Sequence, residues 1–152
     1  MTDAGSPGIS DPGERVVQAA LGAGFRVEPV PGPSALVAAL TASGLPTGEF
    51  HFIGFLPHKS GQRRRVLERL KTVPGTLVLY ESPYRIEKLL VELQDLFAER
   101  QVVLARELTK KFEQFLRGTP AQLLELLRQR ALKGEFVVML APETEPPPES
   151  ES

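Results

Sequence analysis

At 152 residues, with 41% hydrophobic and 24% charged side chains, the chain has the size and make-up of an ordinary globular domain, which excludes disorder and fibrous repeats as its general character. Eighteen basic against nineteen acidic residues leave a net charge of -1, so any affinity for nucleic acid must be local. The absence of cysteine excludes disulfides, thiolate metal sites and cysteine nucleophiles, and two histidines, His51 and His58, are too few for a histidine metal centre or a convincing serine-histidine-acid triad. No metal is expected.

No run approaches the roughly 18 consecutive apolar residues of a membrane helix, and no basic-then-apolar leader opens the chain, so a soluble, cytoplasmic protein is expected. Met1 is followed at once by a glycine-rich loop of the kind that normally follows a strand, so the first domain is expected to lack its beginning. Asp11, Pro12 and Glu14 predict a helix start, with Asp11 as N-cap and Glu14 closing a capping box. That helix should run over residues 11–24 and bury Val16, Val17, Ala20 and Leu21. A short strand over 25–30 follows, then a Pro-Gly-Pro break and an alanine-rich helix over 34–43 that Gly44 terminates.

Leu45, Pro46, Thr47 and Gly48 read as a linker. Beyond it strands and helices alternate: strand 50–56, helix 60–71, strand 76–81, helix 83–97, strand 101–107, a short strand near 113–117, helix 120–132 and strand 135–141. The expectation is an α/β protein in which a partial first α/β lobe (residues 1–46) precedes a complete second α/β lobe with a mixed sheet (47–141). Residues 142–152, rich in glutamate and proline without a basic residue, read as a disordered acidic tail.

Four segments could carry chemistry. Residues 3–13 place three glycines and two aspartates ahead of a helix, which suits close backbone approach to a ligand or simply a tight turn; the spacing fits neither the Rossmann fingerprint nor the Walker loop. Residues 58–71 hold six Lys/Arg against one glutamate, with Val66, Leu67 and Leu70 anchoring one face and the arginines projecting outward, either toward phosphates or into solvent. Residues 80–85 (Y-E-S-P-Y-R) and 105–111 (A-R-E-L-T-K-K) fall at strand ends, where open α/β sheets hold their ligands and where ordinary polar loops also occur.

Taken in order, these segments resemble the ribosomal RNA small-subunit methyltransferase I family of the tetrapyrrole methylase fold group. The matching runs are T-D-A-G-S-P-G-I-S-D-P-G at residues 2–13, V-P-G-P-S-A at 30–35, S-G-L-P at 43–46, F-I-G-F-L-P at 52–57 and K-S-G-Q-R-R-R at 59–65. They continue with Y-E-S-P-Y-R at 80–85, A-R-E-L-T-K at 105–110, R-G-T at 117–119 and G-E-F-V-V at 134–138. The resemblance implies a tetrapyrrole methylase-like fold of two lobes with S-adenosylmethionine between them, and a homodimer. Its product would be a 2'-O-methylated cytidine in small-subunit (16S) ribosomal RNA. By the same resemblance Asp3, Gly5, Pro7, Gly8 and Ile9 line the cofactor from the first lobe, Glu81, Thr109 and Gly134 approach it from the second, and Lys59, Arg63, Arg64 and Arg65 hold the RNA. Family members carry a longer first lobe than this chain, which puts the activity of the chain as it stands in question.

Methyl transfer from an activated sulfonium asks the protein mainly for alignment, worth about 7 to 11 kcal/mol in well-oriented systems. A ribose hydroxyl also needs a base or a cation nearby, and Glu107, Lys110 and Arg106 are the catalytic candidates by their place at a strand end. Two other readings stand beside this one: a small-molecule methylase of the tetrapyrrole type, against which the arginine run argues, and a non-catalytic RNA-binding or dimerisation module.

Overall fold

The computed structural model describes residues 13–29 and 34–143. Its elements in chain order are α1 (Glu14–Gly22), α2 (Ala35–Ser43), β1 (Phe50–Phe55), α3 (Ser60–Leu70), β2 (Thr76–Glu81), α4 (Ile86–Leu96), β3 (Val102–Arg106), β4 (Gln114–Gly118), α5 (Pro120–Gln129) and β5 (Phe136–Leu140). The strands form one sheet in the order β1-β2-β5-β3-β4, parallel between β1 and β2 and antiparallel elsewhere. The expected mixed α/β sheet is therefore present, with each predicted element after residue 50 found within a few residues of its place.

Alternation along the strands divides the core in two. Leu77 and Leu79 of β2, Val102 and Leu104 of β3, and Phe136, Val138 and Leu140 of β5 pack with Leu67 of α3, Leu89, Leu90 and Leu93 of α4, and Leu123 of α5. Val78, Val103, Ala105, Val137 and Met139 face the other way and meet Leu36, Ala39 and Leu40 of α2. The molecule is thus a three-layer arrangement, with α3, α4 and α5 on one face of the sheet and α2 on the other. Helix α2, which the sequence reading grouped with residues 1–46, packs on the sheet formed by β1 to β5.

Local chemistry fixes these elements. Ser34 caps α2 by accepting a hydrogen bond from the Val37 amide, and Gly44 ends it in the left-handed region at φ 80°. Arg117 of β4 donates to the carbonyls of Ala42 (2.8 Å) and Ser43 (3.3 Å), placing a cation at the negative end of α2. Thr119 and Gln122 close a capping box at the start of α5, with Pro120 inside the first turn.

Two expectations are corrected. Helix α1 starts at Glu14 after Gly13, and buries none of its residues: Val16 is 72% and Leu21 58% exposed. Its predicted stripe has the right periodicity, but none of its residues is buried among the described residues; the proposed N-cap Asp11 and first helical residue Pro12 fall outside the described residues. Residues 25–29 form no strand, because an extended segment becomes one only with a ladder partner, and they have none among the described residues. The tail expected to be disordered lies outside the described residues from position 144 onward. Among the described residues, no helix is long and apolar enough to cross a membrane.

Candidate functional site

Register brings the candidate residues to one edge of the sheet. Phe136, the first residue of β5, pairs with Glu81 on one side and Arg106 on the other, and Arg106 pairs with Gln114. Adjacent strands lie about 4.8 Å apart, so the backbones of Glu81 and Arg106 are separated by about 10 Å across β5. Because β1 runs parallel to β2, with Phe55 beside Tyr80, the turn through His58 into α3 rises from the same edge. Four connections meet there: residues 56–59, 82–85, 107–113 and 130–135. The two strand-end clusters and the head of the basic helix are thus neighbours in space, as a shared cleft requires.

The β3–β4 connection is the most constrained of the four. Glu107 and Thr109 adopt positive φ, 52° and 63°, a conformation that costs a non-glycine residue on the order of 1 kcal/mol or more. The loop is closed by bonds from the Lys110 amide to the Glu107 carbonyl (3.0 Å), from the Glu113 amide to the Lys110 carbonyl (3.1 Å) and from the Thr109 amide to the Glu113 carboxylate (3.2 Å). Lys110 Nζ lies 3.5 Å from Glu107 Oε2. Opposite stands Gly134 at φ 87°, where a Cβ would come within 3.0 Å of the Glu107 carboxyl carbon. Glycine is required here both by the backbone and by the carboxylate packed on it.

Glu81 is turned inward, 2% exposed, and its Oε1 accepts from the Ser82 amide (2.7 Å) and Arg85 Nε (3.1 Å). Arg85 Nη1 in turn lies 2.8 Å from His58 Nδ1. The carboxylate therefore organises the turn after β2 and ties it to the entrance of α3. Arg106 is the opposite case: its Nε and Nη1, and Ser82 Oγ, are buried without a hydrogen-bond partner among the described residues. A buried polar group left unpaired costs roughly 1–3 kcal/mol, and His51 Nδ1 and Arg100 Nη1 are in the same state away from this edge.

Helix α3 departs from the expectation that its arginines all project outward. Arg63 is 3% exposed, with Nε 2.8 Å from Glu92 Oε2, Nη2 2.5 Å from Glu92 Oε1, and Nη1 3.3 Å from the His58 carbonyl. The paired Glu92 carboxylate holds its guanidinium still more firmly in the charged form. Arg63 lies on the side of α3 that meets α4 and is held there by Glu92, whereas Arg64 and Arg65, turned about 100° and about 200° further round the helix, reach the surface. Arg63 is thus removed from the RNA-binding set as a direct contact. Arg64 pairs with Asp95 at 3.2 Å on the surface, and Arg64, Arg65 and Arg69 line a shallow groove with Pro57, Gln62, Val66 and Glu68. Lys59, at the N-cap, is exposed. Glu92 was missed in the sequence, though a carboxylate among Leu89, Leu90 and Leu93 on an apolar helix face is the signal that a buried cation faces it.

The residues that the resemblance assigns to S-adenosylmethionine fit it in part. The bare backbone of Gly134 and the left-handed Thr109 permit close approach. Glu81 fits only through the turn it holds. Asp3, Gly5, Pro7, Gly8 and Ile9 lie outside the described residues. No cluster of metal-ligating side chains occurs among the described residues.

Comparison with known proteins follows the same lines. The Ribosomal RNA small subunit methyltransferase I of Halalkalibacterium halodurans is 46% identical over 140 residues, 92% of this chain and 48% of that protein. The protein of that name from Mesorhizobium japonicum is 50% identical over 144 residues, 93% of this chain and 49% of its own. The chain thus spans about half the length of the curated relatives it matches. Uroporphyrin-III C-methyl transferase from Thermus thermophilus, complexed with S-adenyl homocysteine, superposes with a TM-score of 0.59 at 24% identity, over 90% of this chain and 62% of that one, which speaks for the fold. The family model for Tetrapyrrole (Corrin/Porphyrin) Methylases matches residues 1–124, and the chain belongs to that family.

Proposed function

We propose that this chain is the part of a methyltransferase that carries the second lobe, residues 47–141, and that the protein transfers a methyl group from S-adenosylmethionine to the 2'-oxygen of a cytidine in small-subunit ribosomal RNA. The observation that carries the reading is the meeting, at one sheet edge, of the Glu107–Thr109–Gly134 cradle with the head of a basic helix, in a chain 46% and 50% identical to proteins named ribosomal RNA small subunit methyltransferase I. Bound S-adenosylmethionine supplies an electrophilic methyl group on a sulfonium. The chain's own residues hold and activate the acceptor. Glu107, 23% exposed at its side chain, accepts the proton of the 2'-hydroxyl, and Lys110 beside it steadies the negative charge that develops on the oxygen. Arg106 immediately precedes Glu107 in the chain. Lys59, Arg64 and Arg65 hold the RNA backbone. The reading includes a homodimer, as the resemblance implies, and a place in the cytoplasm.

The test is a titration of the purified chain with S-adenosylmethionine, followed by transfer of a labelled methyl group to small-subunit RNA. Saturable binding and a product resistant to alkaline hydrolysis at the modified ribose are expected. RNA binding with no saturable S-adenosylmethionine binding would sink the catalytic reading and leave a binding module, while methylation of a small molecule in preference to RNA would move the protein to the tetrapyrrole-type alternative.

A further inference from the structure

Tyr84 is 91% exposed, more than any other large hydrophobic or aromatic side chain of the described residues. Its ring enters no aromatic or cation contact among them, whereas Phe112, also exposed, has the Lys111 ammonium 5.6 Å above its face. Such exposure on a mobile loop would mean little, but the Tyr84 backbone is fixed. The amides of Arg85 and Ile86 both donate to the Ser82 carbonyl, at 3.2 and 3.1 Å, and the buried Glu81 carboxylate holds Ser82 and Arg85 from below. A bare aromatic ring on a turn whose backbone is already held contributes nothing to the core, and binding there would order little beyond the ring's own rotation. One hydrogen bond, Arg85 to His58, links this turn to the residue before Lys59, where the basic helix begins. The Tyr84 ring thus stands one residue from the hydrogen bond that ties this turn to the head of the basic helix.

Resting on the RNA reading above, we infer that Tyr84 is a stacking platform for an unpaired nucleobase of the RNA substrate, the strand's phosphates lying along α3 through Lys59, Arg64 and Arg65. Stacked and charged contacts alternate along a single strand, whose bases are free to turn outward, but not along a duplex, whose bases are covered by one another. The substrate class is therefore a loop or single-stranded segment, and Tyr84 selects for an unstacked base without reading which base it is.

The chain has two tyrosines, Tyr80 and Tyr84, and no tryptophan, so in a Tyr80→Phe variant all tyrosine emission comes from Tyr84. Titration of that variant with a short single-stranded oligoribonucleotide should quench the emission, and a duplex of the same sequence should not. In the otherwise unaltered chain, Tyr84→Ala should weaken single-strand binding by about 5- to 100-fold while leaving the slope of log affinity against log salt unchanged, because a base contact is lost and no phosphate contact is. Tyr84→Phe and Tyr84→Trp should retain affinity. Salt-dependent binding that is indifferent to Tyr84→Ala, with emission unquenched, overturns the stacking assignment alone. The absence of any salt-dependent RNA binding overturns the RNA reading beneath it, so the two failures are told apart.

Discussion

Replacing Arg63 by methionine separates a structural arginine from the surface charges that flank it in sequence. The substitution keeps most of the aliphatic volume and removes the guanidinium, leaving Glu92, 5% exposed, with no remaining cation. Breaking one partner of a buried pair costs about 3–5 kcal/mol, because the other charge stays desolvated and uncompensated. For a chain of this length, each kcal/mol moves the melting temperature by about 2–4 °C, so a fall of roughly 6 to 20 °C is expected. The Arg64–Asp95 pair, with side chains 42% and 55% exposed, provides the internal control: Arg64→Met should cost no more than about 1 kcal/mol. Replacing both members, Arg63→Met with Glu92→Leu, should recover most of the loss, since a well-packed apolar pair of similar volume is often as stable as a buried ion pair. Urea unfolding followed by circular dichroism measures all three. An Arg63→Met variant within about 1 kcal/mol of the parent would refute the reasoning and return Arg63 to the surface face.

Gly134→Ala should lower stability by about 1–2 kcal/mol through its left-handed backbone, and should lower methyl transfer further than that loss explains, because the new methyl displaces the Glu107 carboxylate from Lys110; parallel melting and turnover measurements check both. Burial raises the Tyr80 phenol above its ordinary value, so the folded state keeps a proton that the unfolded chain releases above about pH 10. That contribution is fully present below pH 10 and is lost as pH rises through the folded value; Tyr80→Phe should flatten the alkaline decline in melting temperature. Arg117→Ala should cost about 1.5–3 kcal/mol by freeing the end of α2, with hydrogen exchange quickening in α2 ahead of β2 and β3. Arg64→Gln with Arg65→Gln should flatten the salt dependence of single-strand RNA binding by up to about 1.4 units of slope with the fold intact, and an unchanged slope would reduce this run to a solvated surface.

The sheet and its helices were legible where a local pattern and a long-range partner agree. Thr76–Glu81 is a short apolar run set between a Pro-Gly break and Ser-Pro; Leu77 and Leu79 face one core and Val78 and Tyr80 the other, so a strand buried on both faces was legible from its length and flanks. In α1 helical spacing predicted burial that is absent, because spacing states which face is apolar and not what covers it. Residues 25–29 fail likewise for want of a ladder. The candidate site was legible as a set of strand ends, and register gathers them. What could not be read was the conformation of Glu107 and Thr109, since a left-handed backbone has a sequence signal only when glycine supplies it. Nor could the sequence divide three consecutive arginines into one buried and two exposed without the partner on α4.

Three of the motifs that carry the family resemblance serve as scaffold. In R-G-T, Arg117 caps α2, Gly118 admits the Gln122 side chain, and Thr119 caps α5. In S-G-L-P, the Ser43 hydroxyl bonds the Leu40 carbonyl, Gly44 turns the chain, and the Pro46 carbonyl accepts from Thr76 at 2.6 Å. Gly54 of F-I-G-F-L-P sits at the irregularity between β1 and β2. Residues so employed would be needed by any member of the fold whatever its substrate, so their presence places the chain in its family and says little about chemistry. Function must be sought in side chains that the fold does not use or uses at a cost: the orphaned guanidinium of Arg106, the strained Glu107 and Thr109, the exposed Lys59, Arg65 and Lys110, and the bare ring of Tyr84. Arg106 ends β3 and the others sit on the strand-end connections or along α3, which rises from one, so these side chains meet at one edge of the sheet, while the unpaired His51 Nδ1 and Arg100 Nη1 lie at the other.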